Sequence, residues 1–309
     1  MPRVSVIVPA YNAAAVITQA LDSVVAQTYE DWEAIVADDG SSDETAALST
    51  GRDPRISCVR SPHNLGIGGA RNLALTHATG ELVALLDADD VWLPDYLQRM
   101  LAEYDATVAR GANVGIVCCD AYEFGPEGLR ERRYSDRVGW VADVTLASLL
   151  HRNTIFVSAL LPRQVIDEVS GFATDCLGTE DYDMWLRVLE TGRHVVALRE
   201  PLVMYRVAAS SLSANRAVMA RAAQATYRHA LSRGRLTAQQ RRIARRELRL
   251  QRCLEQWAET VPVLRRRGFP ASSIGRVVVL GAWVALERPR RWPHWLIAAL
   301  RVPLRAVPR

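Results

Sequence analysis

Two short acidic runs are the residues best suited to chemistry. Asp38-Asp39-Gly40-Ser41-Ser42-Asp43 and Asp87-Ala88-Asp89-Asp90 each follow an apolar stretch. Carboxylates gathered from two such runs repel one another, and repel any phosphate, unless a cation lies between them. A hard divalent ion such as Mg²⁺ or Mn²⁺ meets that need, taking a few carboxylate oxygens and filling its shell with water or phosphate oxygens. Each run alone is also an ordinary solvated turn, since Asp and Gly are favoured there. Their occurrence together, with Pro9-Ala10-Tyr11-Asn12 ahead of them, is what points to a site. A third group, Thr179-Glu180-Asp181-Tyr182-Asp183, opens a helical pattern. Carboxylates are favoured at a helix start, where Thr179 would serve as the cap.

These residues need elements to hold them. Apolar β-rich runs at Val4–Val8, Trp32–Ala37, Ile56–Arg60, Leu82–Leu86 and Val114–Cys118 are strand candidates. Helical patterns at Ala13–Gln27, Asp43–Thr50, Gly69–Ala78 and Pro94–Arg110 alternate with them. That rhythm predicts an α/β domain with a mainly parallel, Rossmann-like sheet and helices on both faces. In such sheets the ligand crevice lies beyond the carboxyl ends of the strands, where the acidic runs fall. Ala121–Val144 reads as a loop or flap, Thr154–Leu161 as a further strand, and Thr179–Glu190 as a helix stopped by Gly192. Its apolar face is Met184, Trp185, Val188 and Leu189. The Gly66-Ile-Gly-Gly69 cluster follows the third strand and lacks full dinucleotide-fingerprint spacing, so it reads as a helix entry needing small residues.

Composition bounds the rest. A chain of 309 residues, 49% hydrophobic and 23% charged, is neither a small disulfide scaffold nor a disordered segment. The net charge of +4 hides a split: residues 1–215 sum to −13 and residues 216–309 to +17, with no Lys anywhere. The division predicts two pieces, 1–215 and an Arg-rich helical appendage over 216–309, broken at Gly234, Gly268–Pro270 and Pro289. Five cysteines without zinc-site spacing suit a reduced, cytoplasmic protein. The run Val4–Val8 ends at Pro9 and is too short for a signal peptide. Val277–Leu286 has ten residues, against about 20 for a spanning helix.

Val4-Ser-Val-Ile-Val-Pro-Ala-Tyr-Asn12, Ala37-Asp-Asp-Gly-Ser-Ser-Asp43, Asn64-Leu-Gly-Ile-Gly-Gly-Ala-Arg-Asn72 and Leu85-Leu-Asp-Ala-Asp-Asp90 resemble the family 2 glycosyltransferases, over about residues 3–215. The resemblance implies a glycosyltransferase A-type fold, a nucleotide-sugar donor, a divalent metal and inversion at the anomeric carbon. It puts Tyr11 against the nucleobase with Pro9 beside it, Asp39 on the base edge and Arg71 near the nucleotide. Asp87 would face the ribose or sugar, and Asp89 would hold the metal on the diphosphate. Arg71 has a second reading, capping the surface of its own helix. The chemistry agrees, since a ring offers stacking area and a carboxylate accepts from a pyrimidine imide N–H. Thr179-Glu180-Asp181 resembles the family's acceptor-side element, which makes Asp181 the base and Glu180 the fallback. Pro201-Leu-Val-Met-Tyr-Arg206 resembles the element after the last core strand, but the metal-shell His found soon after it in many relatives is replaced by Val207-Ala208-Ala209. His194 reads instead as a strand residue.

The expected activity is metal-dependent inverting transfer from a nucleotide-sugar, a UDP-sugar in this reading, to a hydroxyl of a glycan or glycolipid acceptor. The basic helix Arg241–Arg252, and Trp257, Trp283, Trp292 and Trp295 within the Arg-rich stretch that includes Arg288, Arg290 and Arg291, suggest peripheral contact with the anionic inner face of the cell membrane. A solvated face and a partner-binding bundle are the plainer readings of that tail. Two other functions follow from the same residues: a catalytically silent scaffold in polysaccharide assembly, or nucleic-acid binding through the tail. No recognition motif accompanies the latter, and no nucleic acid is expected.

Overall fold

The computed structural model describes residues 1–208 and 211–267. The elements run β1 (Val4–Ala10), α1 (Ile17–Val25), β2 (Trp32–Asp38), α2 (Thr45–Leu48), β3 (Ile56–Arg60), α3 (Gly66–Leu75), β4 (Leu82–Leu85), β5 (Val91–Trp92) and α4 (Tyr96–Ala109). They continue with β6 (Val114–Gly125), β7 (Gly128–Arg133), α5 (Tyr134–Val138), α6 (Leu146–His151), β8 (Ala159–Pro162), α7 (Arg163–Glu168), α8 (Glu180–Glu190), β9 (His194–Arg206), α9 (Arg216–Ser232) and α10 (Ala238–Arg267).

Nine strands form one sheet in the order β3-β2-β1-β4-β8-β6-β9-β5, with β7 paired to β6. The order β3-β2-β1-β4 is parallel throughout, as uniformly apolar strands covered on both faces require. All seven residues of β1 are buried. β8 enters antiparallel between β4 and β6, β6 and β9 are parallel, and β5 pairs antiparallel with β9, so the sheet as a whole is mixed. Register is what builds the site: Ala10 lies opposite Asp38, and Leu85 opposite Ile7, so three chain segments leave the sheet at one level.

Side chains alternate across β1. Val6 and Val8 pack with α1 and α4, including Ile17, Leu21, Tyr96 and Leu97. Ile7 faces the opposite layer, with Ala70 and Ala74 of α3 and Met184, Trp185 and Val188 of α8. Tyr227 and Ala230 of α9, and Ala244 and Leu248 of α10, belong to that same layer. The hydrophobic core therefore runs across residue 215 without a break.

Two expected segments fold differently. Ala121–Val144 is not an open loop: β6 extends to Gly125, β7 returns along it, and α5 follows. The charged β7 sequence GLRERR lacks the apolar alternation that marks a strand, as suits one placed at a sheet edge. The strand expected over Thr154–Leu161 shrinks to Ala159–Pro162, because Asn153 Oδ1 accepts the Ile155 N–H at 3.1 Å and holds the preceding residues in a turn. All five cysteines are free. Among the described residues no helix is long and apolar enough to cross a membrane. Val277–Leu286, Trp283, Trp292 and Trp295 lie outside the described residues.

Candidate active site

The loops after β1 and β2 hold each other. Asn12 adopts φ +49°, a left-handed conformation that Asn tolerates better than most residues. Its N–H donates to Ser41 Oγ at 2.9 Å, and its Oδ1 accepts the Ser42 N–H at 2.9 Å. Asp43 accepts from the Ala14 N–H at 3.1 Å, while Asp39 N–H donates to Ala10 O at 2.8 Å. Asp39 Oδ1 accepts the Leu65 N–H at 2.7 Å, which ties the entry of α3 to the same knot. Gly40 has φ +75°, and a Cβ there would sit 3.0 Å from the His63 carbonyl carbon. Much of the motif therefore builds the loop itself, leaving Tyr11 standing out from it, 54% exposed.

A fully buried arginine organises the carboxylates. Arg71, on α3, donates through Nη2 to Asp87 at 2.7 Å and through Nη1 to Glu180 at 2.5 Å. Burial alone would lower its pKa, but Asp87 and Glu180 outweigh that and raise it. Glu180 also accepts the Gly178 N–H at 2.9 Å. The two carboxylates of the Glu-Asp pair thus differ sharply: Glu180 is ion-paired with Arg71, whereas Asp181 is held only by a backbone N–H. The Asp181 carboxylate accepts from the adjacent Tyr182 N–H at 2.6 Å. Burial, then the Glu180 charge, pushes its pKa up to about 7, against the pull of Arg71. A carboxylate near neutrality is matched to taking a proton. Thr179 does not cap α8 with its side chain; its hydroxyl lies 2.9 Å from that of Thr226 on α9.

Asp89 and Asp90 complete the acidic corner. Burial, then Asp87, lifts Asp89 to about 6, and burial, then Asp89, raises Asp90 well above the carboxylate range. Asp90 Oδ1 accepts the Arg206 N–H at 2.9 Å, whereas its Oδ2 is buried with no hydrogen-bond partner among the described residues. The Arg71 guanidinium serves Asp87, while the Arg206 charge only partly offsets the burial of Asp89. An all-oxygen set with surplus negative charge fits Mg²⁺ or Mn²⁺. His194 is exposed at the start of β9.

Pro9, Tyr11, Asp39, Arg71, Asp87, Asp89, Glu180 and Asp181 all line one cleft of about 1450 Å³. Arg71 does so as a buried anchor of carboxylates rather than as the surface of its helix. The sequence reading missed two other walls. Tyr134, Phe156 and Tyr205 form a ring cluster with centroids 5.0 to 6.3 Å apart, and the Arg137 guanidinium lies 5.2 Å from Tyr134 and 5.3 Å from Tyr205. Tyr134 and Arg137 fall in the segment taken for a flap; Tyr-Arg at 205–206 was the visible signal. The second wall comes from α9 and α10, whose Met219, Leu254 and Trp257 face the cleft.

Known proteins resemble this chain in sequence and in fold. Residues 5–169 match the family described as Glycosyl transferase family 2. The chain is 30% identical over 217 residues to the UDP-Glc:alpha-D-GlcNAc-diphosphoundecaprenol beta-1,3-glucosyltransferase WfgD of Escherichia coli, covering 69% of this chain and 80% of that protein. It is 35% identical over 160 residues to the succinoglycan biosynthesis protein ExoO of Rhizobium meliloti, 51% of this chain but only 44% of that protein's length. Among solved structures, mannosyltransferase PcManGT from Pyrobaculum calidifontis in complex with GDP-Man and Mn²⁺ matches with a TM-score of 0.64 at 25% identity, covering 97% of this chain and 86% of that one. S. aureus TarS 1-349 in complex with UDP-GlcNAc shares the fold, with a TM-score of 0.65 at 17% identity, covering 96% of this chain and 83% of that one.

Proposed function

The chain belongs to glycosyl transferase family 2, has the glycosyltransferase A-type fold and is a glycosyltransferase, and on that premise we propose that it moves a sugar from a UDP-sugar to a hydroxyl of a glycan or lipid-linked acceptor by one inverting displacement. The observation that carries this reading is the division of labour between neighbours: Glu180 is spent on Arg71, while Asp181 faces the same cleft as Asp89 with its carboxyl near 7. Asp181 takes the proton of the acceptor hydroxyl as its oxygen bonds to the anomeric carbon. The bond from that carbon to the diphosphate oxygen breaks, and its electron pair leaves with the nucleoside diphosphate. Tyr11 and Pro9 hold the base, Asp39 its edge, and Asp87 the ribose or sugar. Arg71 positions Asp87 and Glu180 beneath them. Asp89 would hold a divalent ion, which would supply charge neutralisation for the diphosphate.

Support for a lipid-linked acceptor comes from the WfgD relative, whose name specifies a diphosphoundecaprenol substrate. Support for a place on an anionic membrane, at the cytoplasmic inner face, comes from α10, where Arg242, Arg245, Arg249 and Arg252 are exposed at spacings of three and four residues, on one stripe. The deciding experiment measures turnover of a panel of nucleotide-sugars with Mn²⁺, with and without Asp181→Asn. One donor is expected to be consumed by the native chain alone. Equal turnover by both proteins removes Asp181 from the reaction, and silence toward every donor removes the activity.

A further inference from the structure

The helical region after residue 215 does more than sit beside the cleft. Large apolar residues exposed on a folded surface call for a cover when they cluster at a functional site. Leu177 and Leu212 are 48% and 40% exposed, and both line the cleft on the side of Asp181. Met219 and Ala223 of α9 and Leu254 of α10, all half-buried, line the same cleft, as does the buried Trp257. The arrangement is tightly built: Gly178 has φ +82°, and a Cβ there would lie 2.9 Å from Leu212 Cδ2 and 3.1 Å from Met219 Sδ. An apolar wall thus begins immediately before the residues that carry Glu180 and Asp181. Arg137, at the ring cluster, and Arg152 and Arg216 line the same cleft and give it positive charge.

We propose that the apolar wall made by Leu177, Leu212, Met219, Ala223, Leu254 and Trp257 binds the first segment of the lipid chain of a lipid diphosphate acceptor. The argument is continuity and polarity. A free sugar or a soluble glycan would meet this wall with hydroxyls, and would lose hydrogen bonds there without return. A lipid diphosphate offers an apolar chain to the leucines and an anionic group to the arginines, with its sugar hydroxyl left for Asp181. The proposal rests on the transferase reading for its acceptor, but its test does not need turnover.

The test uses the full chain and two probes, an isoprenyl diphosphate and inorganic diphosphate, with binding followed by calorimetry. Tighter binding of the isoprenyl compound, by about tenfold or more, is expected, since covering leucine-sized apolar surface has that weight. Leu212→Ser, at an exposed position that should not disturb folding, is expected to erase most of the difference. Trp257→Ala is expected to do the same, with its fold checked by circular dichroism. Val108→Ser, at an exposed position on α4 away from the cleft, should leave the preference intact. Equal affinity for the two probes overturns the proposal, as does a preference that survives both substitutions. Failure of donor turnover with the preference intact would instead strike the transferase reading.

Discussion

Arg71 and Glu180 lie 109 residues apart in sequence and 2.5 Å apart in space, and both are buried. The pair joins α3 to the first turn of α8, which carries the proposed base. Asp87 shares the same guanidinium. The three groups stand or fall together.

Removing the cation should be costly. Arg71→Ala leaves Glu180 without its partner in the interior and Asp87 without its clamp, and breaking a buried pair this way costs about 3–5 kcal/mol. Urea unfolding should show a lowered midpoint of that size. A loss under about 1 kcal/mol, the scale of an exposed pair, would mean that the pair is solvated in solution.

The pH dependence follows from Asp181. A base works only when deprotonated, so kcat/KM should fall about tenfold per pH unit below an apparent pKa of about 7. Stability runs the other way. The folded-state pKa lies above the ordinary 3.8, so the protonated form is favoured by folding. That contribution is full below pH 3.8 and is lost as pH rises through 7. Asp181→Asn removes the ionisation, so its melting temperature should exceed that of the native chain at pH 8 while transfer disappears. Equal melting temperatures at pH 8 would mean that the Asp181 carboxylate is not strained in the fold.

Loss of Asp89 should be read through nucleotide binding rather than turnover. Calorimetry with UDP is expected to show affinity that Mn²⁺ strengthens and EDTA abolishes. Asp89→Asn should weaken the Mn²⁺-dependent part by about tenfold, or roughly 1.4 kcal/mol. An unchanged Mn²⁺ effect in the variant would move the ion elsewhere.

Gly68 tests how closely α3 must approach the chain before α8. A Cβ there would stand 2.3 Å from the Ala173 carbonyl oxygen, a backbone atom with little room to yield. Gly68→Ala should cost about 1–3 kcal/mol, as overpacking does, and should displace Arg71 one turn along. A neutral thermal shift would show that the contact relaxes freely.

The parallel half of the fold was legible because β1, β2 and β4 are apolar on both faces, and the acidic runs at their ends follow from the sheet's direction. β7 was hidden by its arginines, and the insertion of β8 between β4 and β6 leaves no mark on local pattern. Arg71 was ambiguous for a related reason. Periodicity says that a helix position is buried or exposed; it does not say that Asp87 and Glu180 arrive from elsewhere to neutralise a charge. The helical region was read as an appendage because its arginine excess is visible in sequence. Tyr227, Ala244 and Leu248, which join it to the main core, are not.

The hydroxyl contact between Thr179 and Thr226 adds one more consequence. The family-wide match ends at residue 169, before either threonine. The Thr226 hydroxyl, on α9, meets both the hydroxyl and the carbonyl oxygen of Thr179, the residue next to Glu180, so a shift of α9 would be felt where α8 begins.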